Sequence, residues 1–523
     1  MTILGDIMSS KAIKNLVIVG GGSAGWMSAT YLNQIFNNKE DQFQITLIES
    51  PDVESIGVGE ATIHSMRFFI ASLGLSENEV MQKSNATLKH GILFKNWQGN
   101  VENDEYYHPF EQPKYNDGIH IHNHWAKIHG TKNQDANDDR SRFDFSVSPQ
   151  AQFANNLKSP KSKTNKEFEG YFPYGYHLDA IKFSSYLRDV AIERGIRRVE
   201  GHVAKANLND NGNIASVTLN CGRLIEGDFF IDCTGFRSIL MNALNDEDYI
   251  DYSDSLLCDR AVTCQIPFED NKENHRPYTT STAQESGWIW DIDLKNRSGS
   301  GYVYSSKFCS KEEAEITLSK HLQSNIEDLK FKHLKMKIGR REKIWHKNCV
   351  AIGLSAGFIE PLESTGLYFI DMSLRFLSEY NFTTNTNEAV INKYNDIIGK
   401  LVDQTKDFIV LHYALSNRED SPFWKTYKYD VPLSDELKNN LALWKSKVPT
   451  SSDFAGQITQ FTSANYTYIL YGMGFKHEDI PCNSSYFSKE RSQNNLDHIQ
   501  QRCDRVMESI PTLSEYLSWD KNG

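Results

Sequence analysis

Three groups of residues in this chain have types and spacings suited to chemistry. The first is Gly20-Gly21-Gly22-Ser23-Ala24-Gly25-Trp26, which follows the apolar run Leu16-Val17-Ile18-Val19 and opens a helical pattern from Met27 to Ile35. In such a turn Gly20 permits the sharp bend and Gly22 lets backbone N–H groups approach a pyrophosphate. Gly25 permits close helix–strand packing at a helix N-terminus whose dipole favours the anion. A second run, Gln44-Ile45-Thr46-Leu47-Ile48, leads to Glu49, spaced as an acid that accepts from ribose hydroxyls. These features together predict a bound dinucleotide. The second group is a lone lysine, Lys89, in Asn85-Ala86-Thr87-Leu88-Lys89-His90-Gly91, and the third is Glu363 in Glu360-Pro361-Leu362-Glu363-Ser364-Thr365-Gly366. Taken singly, the lysine reads as a solvated surface charge and the glutamate as a helix-capping carboxylate.

Several elements must position these groups. A core strand, Phe229-Phe230-Ile231-Asp232, runs into the small-residue turn Cys233-Thr234-Gly235, and another, Cys349-Val350-Ala351-Ile352-Gly353, leads to Leu354-Ser355-Ala356-Gly357-Phe358. Ahead of the first of them lie a helical pattern from Leu178 to Arg194 and alternating strands such as Ile214 to Leu219. Trp288 and Trp290, two apart in Trp288-Ile289-Trp290-Asp291-Ile292, face one way on a strand and read as packing. Residues 115–166 are rich in Asn, Asp, Lys and Ser and predict a mobile surface excursion. The expected organisation is a discontinuous domain over residues 11–372, carrying the cofactor and a substrate-side sheet, and a mainly helical cap over 373–523.

Composition narrows the class. A chain of 523 residues at 39% hydrophobic can bury a large core. Its net charge of −12 argues against a nucleic-acid partner, which needs concentrated Lys and Arg. Eight cysteines without a Cys-x-x-Cys pair suit a reduced compartment, with neither a disulfide framework nor a structural metal site. No basic leader and no stretch of eighteen apolar residues is evident, so the expectation is a cytoplasmic protein with no membrane role.

Three separated strands returning to one nucleotide site, with a β-rich middle segment, resemble the flavoprotein monooxygenase fold. The expected fold class is therefore α/β (α+β), with a Rossmann-like FAD-binding domain. Nearly the whole chain further resembles the flavin-dependent halogenases of the tryptophan halogenase family. Gly57-Val58-Gly59-Glu60-Ala61-Thr62 is similar to that family's block after the second strand, and Lys89 falls where the family places its catalytic lysine. Ser286-Gly287-Trp288-Ile289-Trp290-Asp291-Ile292 resembles its Trp-x-Trp-x-Ile-Pro signature, although Asp293 replaces the proline. Glu360 to Gly366 resembles the segment holding the catalytic glutamate and the halide, and Gly299 to Val303 a neighbouring strand.

The resemblance implies that Lys89 and Glu363 are catalytic and that halide sits near Thr365 and Gly366. It assigns cofactor binding to Gly20, Gly22, Ser23, Ala24, Gly25, Trp26, Glu49, Glu60, Val203, Leu354 and Leu367. His108 and Phe110 would stack on a small aromatic substrate. Reduced FAD (FADH2), supplied by a separate NAD(P)H flavin reductase, would react with O2 and halide to give hypohalous acid that travels to Lys89. As a neutral amine the lysine would form a haloamine; as an ammonium it would polarise the acid by a hydrogen bond. Family members acting on free tryptophan carry an acidic and aromatic block ahead of an Asn-Tyr-rich helix. Here Asn465-Tyr466-Thr467-Tyr468 resembles the helix, but Ser451 to Phe461 is short and lacks the acid that would hold an amino group. Phe461 remains to stack on an indole, a phenol or a larger aromatic. A homo-oligomer is compatible with this reading. A flavin hydroxylase and a non-catalytic FAD-binding partner protein remain as alternatives.

Overall fold

The computed structural model describes residues 12–37, 43–52, 60–99, 103–113, 115–116, 118–131, 141–244, 248–268, 274–380, 383–384 and 386–518. The chain divides into two compact units, each assembled from separated segments. The first comprises residues 1–84, 178–252 and 337–402, and the second 85–177, 253–336 and 403–523.

In the first unit the predicted apolar runs form one sheet. Its strand order is Arg197–Glu200, Gln44–Glu49, Asn15–Val19, Phe229–Asp232, Cys349–Ala351 and Trp345–His346. The first five are mutually parallel and only Trp345–His346 is antiparallel. The four central strands, buried on both faces, read as continuous apolar runs and not as alternations, whereas the edge strand Arg197–Glu200 is largely exposed. Val17, Val19, Phe230, Cys349 and Ala351 pack against a second, three-stranded sheet through Ile214, Val217, Leu219 and Ile225. The Ser23–Phe36 helix packs with the Ala180–Glu193 and Gly366–Ser378 helices. Asp179 starts the Ala180–Glu193 helix, its side chain accepting from the N–H groups of Ile181 and Lys182 at 3.1 Å.

The second unit is built on a seven-stranded sheet. Its order is Lys332–Lys335, Arg260–Pro267, Arg297–Tyr304, Gly287–Asp293, Thr279–Gln284, Gly91–Lys95 and Glu105–Pro109, antiparallel except between Thr279–Gln284 and Gly91–Lys95. Trp288 and Trp290 lie on one of its central strands, both buried, with ring centroids 6.2 Å apart.

Two sequence expectations are corrected here. The 115–166 insertion is not a surface excursion: it contains helices at Ile121–His129, Phe143–Val147 and Pro149–Asn155. Their Ile121, Trp125, Phe143 and Val147 are buried with Val448, Tyr468, Tyr471 and Leu496 from later segments. The physical reason is that a few large apolar residues at helical spacing outweigh many polar neighbours. The polar run 133–140 lies outside the described residues. The organisation also differs from a break at 372/373, because residues 85–177 and 253–336 supply the second unit's sheet and 403–523 supply its helices. From Gly366 onward every described α-helical segment follows another without an intervening sheet strand, up to Leu513–Ser518.

Among the described residues no helix is long and apolar enough to cross a membrane. All eight cysteines are free thiols.

Candidate active site

The glycine loop of the first unit follows from close backbone approach. Gly20 has φ +119°, and a Cβ there would run into the carbonyl oxygen of Cys233. A Cβ at Gly25 would run into the Gly20 carbonyl oxygen, whereas one at Gly22 would meet nothing within 4 Å. The first two glycines therefore allow packing, and Gly22 leaves open space at the N-terminus of the Ser23–Phe36 helix. Glu49 ends its strand beside this loop, where Trp26 Nε1 donates to its Oε2 at 3.2 Å and Arg198 engages Oε1. Trp26 is itself buried, and its N–H donates to Gly22 O at 3.1 Å, so it serves the loop by holding Glu49. Ser23 Oγ lies 2.9 Å from Ser184 Oγ.

Sequence reasoning missed the residue that ties the end of the Phe229–Asp232 strand to the helix start after it and to the turn that follows the Cys349–Ala351 strand. Asp232 is fully buried, and its carboxylate accepts from five donors. These are the N–H and hydroxyl of Thr234 at 2.9 and 2.7 Å, the Ser355 hydroxyl at 3.0 Å, and the N–H groups of Leu240 and Met241 at 2.8 and 3.1 Å. The signal was present as an acid closing an otherwise apolar strand. Asp232→Asn turns an all-acceptor group into one that faces N–H donors with an N–H of its own. It is expected to lower stability by about 3 kcal/mol, read by thermal unfolding, and to reduce bound flavin. A parental midpoint would show that the five bonds are dispensable.

Two other predicted cofactor residues, Leu354 and Leu367, lie in and beside the turn that follows the Cys349–Ala351 strand. Gly353, with φ +70°, brings its turn against Ala24, where an added Cβ would lie 2.8 Å from the Ala24 Cβ. Leu354 is half-buried in that turn, and Leu367 is buried on the Gly366–Ser378 helix that packs on it. Val203 packs on the cluster containing Ile48 and Val199. Desolvation pushes the Glu60 carboxyl up to about 7, so near neutrality it can donate as well as accept a hydrogen bond. Gly57 to Gly59 of that block lie outside the described residues.

Glu360 and Glu363 bracket a short 3-10 turn and are 0% and 3% exposed. Ser364, at φ +59°, reverses the chain, and Thr365 is the N-cap of the Gly366–Ser378 helix without a side-chain cap bond. Thr365 is buried, while Gly366 is exposed with nothing within 4 Å of an added Cβ.

The second unit carries Lys89, His108, Phe110 and Phe461. Lys89 ends the Thr87–Lys89 strand, which pairs antiparallel with Gly175–Leu178. It is fully buried, and its Nζ lies 5.6 Å from the centroid of the Phe110 ring. Phe110 N donates to His90 O at 2.9 Å, which holds the two segments together. His108 Nε2 accepts from Asn465 Nδ2 at 2.9 Å, and its ring lies 5.9 Å from that of Phe408. Phe408 in turn stacks on Phe461 at 3.8 Å with 14° between the planes. One face of Phe461 is therefore already covered. Phe408 is the residue that joins His108 to Phe461, and it was not singled out from the sequence because it sits inside an ordinary helical pattern.

Burial pushes the His90 imidazole down to about 4, leaving it neutral near pH 7. It accepts from Gln150 Nε2 at 3.0 Å and donates to Lys158 O at 2.9 Å.

The cofactor-assigned residues thus all fall in the first unit and the substrate-assigned residues all in the second. The open space at Gly22, the close backbone approach around it and the tethered Glu49 fit a flavin nucleotide. The family model for tryptophan halogenase matches residues 15–483. The chain belongs to the tryptophan halogenase family.

Full-length similarity accompanies that match. The tryptophan 6-halogenase SttH of Streptomyces toxytricini is 34% identical, over 98% of this chain and 99% of its own. The tryptophan 7-halogenase RebH of Lentzea aerocolonigenes is 33% identical over 98% and 99%. A solved tryptophan halogenase from Shewanella frigidimarina superposes with a TM-score of 0.89 at 32% identity, covering 97% of each chain. As a member of the halogenase family the chain is a flavin-dependent enzyme that halogenates an aromatic substrate, on the mixed α/β frame expected for it.

Proposed function

We propose that this halogenase acts on an indole, a phenol or a larger aromatic in preference to free tryptophan, using hypohalous acid handed on by Lys89. The observation that carries the reading is a fully buried lysine beside an aromatic ring, in the same unit as His108 and Phe461. Bound in reduced form, FAD supplies the electrons with which O2 oxidises a halide to hypohalous acid.

The chain's own residues bind, orient and donate. Gly20, Gly22, Ser23, Ala24 and Gly25 cradle the pyrophosphate, and Glu49, held by Trp26 and Arg198, accepts from the ribose. Glu60, Val203, Leu354 and Leu367 complete the cofactor set. Thr365 and Gly366 hold the halide where the start of a thirteen-residue helix favours an anion. Lys89 works as an ammonium, donating a hydrogen bond from Nζ to the oxidant. The Phe110 ring favours that charged form, whereas bringing an ordinary lysine to neutrality at pH 7 costs about 4.6 kcal/mol. Glu363 stabilises the positive charge that develops on the ring and accepts its proton.

Two features support a substrate other than free tryptophan. Asp453, the one acid between Ser451 and Phe461, already accepts from Trp444 Nε1 and Thr450 N at 3.0 Å and pairs with Lys447 at 2.5 Å. Phe461 offers a single face. His108, Phe110 and that face are suited to gripping an aromatic ring by stacking.

A panel of indoles, phenols and tryptophan, incubated with the protein, FAD, a separate flavin reductase, NADH and each halide in turn, tests this by mass spectrometry. Halogenated indole or phenol should exceed halogenated tryptophan. Better turnover of tryptophan would overturn the substrate assignment, and hydroxylated product with bromide present would favour a hydroxylase. The isolated protein should not bleach FAD with NADPH, since one glycine fingerprint serves one dinucleotide. Rapid bleaching would remove the need for a partner reductase. Eight free thiols suit the reduced cytoplasmic setting in which such a reductase works.

A further inference from the structure

Asp293 stands where the family's signature has proline, and its surroundings give it a definite task. Its carboxylate is fully buried and is gripped by Arg276, which donates from N and Nε to Oδ2 at 2.9 and 3.1 Å and from Nη2 to Oδ1 at 2.8 Å. A forked pair of this kind fixes two segments against each other in direction as well as distance.

Those two segments clasp the strand that carries Lys89. After Asp293, the chain accepts at Asp293 O from Thr87 Oγ1 at 2.5 Å, and Lys295 N donates to Asn85 O at 3.0 Å. After Arg276, Pro277 O accepts from His90 N at 2.7 Å, and Thr279 Oγ1 lies 2.9 Å from His177 Nε2. Asn85, Thr87 and His90 are thus each held, on both sides of Lys89.

Thr87 and Lys89 share one face of their strand, and His177, paired with Thr87, lies on that face too. Thr87 commits its hydroxyl hydrogen to Asp293 O, so its oxygen can only accept from His177 Nδ1, 3.5 Å away. His177 is then the Nδ1–H tautomer, with Nε2 accepting from Thr279. Burial first, and the charge of Lys89 second, hold this imidazole well below its usual pKa. Gly175, opposite Lys89, adds no side chain to the face.

We propose that the Asp293–Arg276 ion pair, acting through Thr87 and His177, is a positioning device for the Lys89 ammonium, built at the position where the family's signature has proline. A proline at 293 would keep the carbonyl that Thr87 uses but would release Arg276. The inference rests on the assignment of Lys89 as the residue that hands on the oxidant.

The test is halogenated product per O2 consumed by FAD-loaded protein with a separate reductase, together with amide hydrogen exchange over residues 85–95. Asp293→Asn should lower the product ratio by between about ten- and a hundredfold through misplacement of Lys89, with flavin binding and O2 uptake kept and exchange accelerated. Arg276→Lys, which keeps a charge but not the fork, should recover part of the ratio relative to Arg276→Met. A purely structural role would lower the thermal midpoint and leave the ratio of the folded fraction unchanged, and that result would overturn the proposal. Should Asp293→Asn not fold, Thr87→Val removes only the hydroxyl link, and a parental ratio there overturns the proposal equally. Lys89→Ala run in parallel separates the two levels. A parental ratio in Lys89→Ala overturns the lysine assignment and this inference with it, whereas a low ratio there beside a parental one in Asp293→Asn overturns the ion pair's role alone.

Discussion

Lys89→Ala is expected to bind FAD and to take up O2 with reduced flavin as the parent chain does, while halogenated product falls by roughly 10²–10³-fold. The dissociation of the two steps follows from the division of residues. The glycine loop, Glu49 and the Asp232 anchor all belong to the first unit, and the alanine changes only the second. What is lost is a single donor, Nζ, from a buried position 5.6 Å from the Phe110 ring. Free hypohalous acid should accumulate in proportion to the missing product, since its formation precedes the step that Lys89 serves. Mass spectrometry of product and an oxygen electrode on one preparation check this, and parental product yield would sink the assignment of Lys89.

The nucleotide end of the fold was legible because its signals are local. Glycines placed by close backbone approach, an apolar run on each side and an acid at the next strand's end are all set by residues near one another in sequence. The strands at Asn15–Val19, Gln44–Glu49, Phe229–Asp232 and Cys349–Ala351 accordingly lie where apolar runs predict them. The 115–166 insertion was misjudged because burial there depends on partners hundreds of residues away. Trp125 and Phe143 find Tyr468 and Tyr471, which no local composition reveals. The role of Asp293 was hidden for the same reason. Its replacement of proline was visible, but the compensating Arg276 becomes meaningful only once the Thr279–Gln284 and Gly287–Asp293 strands pair. Phe461 was read as a substrate-stacking residue, and Phe408, fifty-three positions earlier, covers one of its faces.

Glu363→Gln separates a structural carboxylate from a chemical one. The side chain is 3% exposed in a turn whose next residue takes a left-handed conformation, and the helix that follows has Thr365 as its N-cap. If Glu363 serves only to satisfy backbone N–H groups around this helix start, the glutamine oxygen can still accept. The cost is then at most about 0.5–2 kcal/mol of stability with product formation nearly intact. If its charge stabilises a ring cation during substitution, the amide leaves that cation without a counter-charge. The barrier should then rise by roughly 2.7–4 kcal/mol, a fall of about a hundred- to a thousandfold in turnover. The second outcome is the one expected, with flavin binding and O2 uptake unchanged. Both readings place the thermal midpoint close to the parent's, so the rate decides between them. Turnover measured at saturating aromatic substrate, beside the unfolding midpoint of the same preparation, gives the answer, and an unchanged rate would move Glu363 out of the chemistry and leave it a structural residue of the turn.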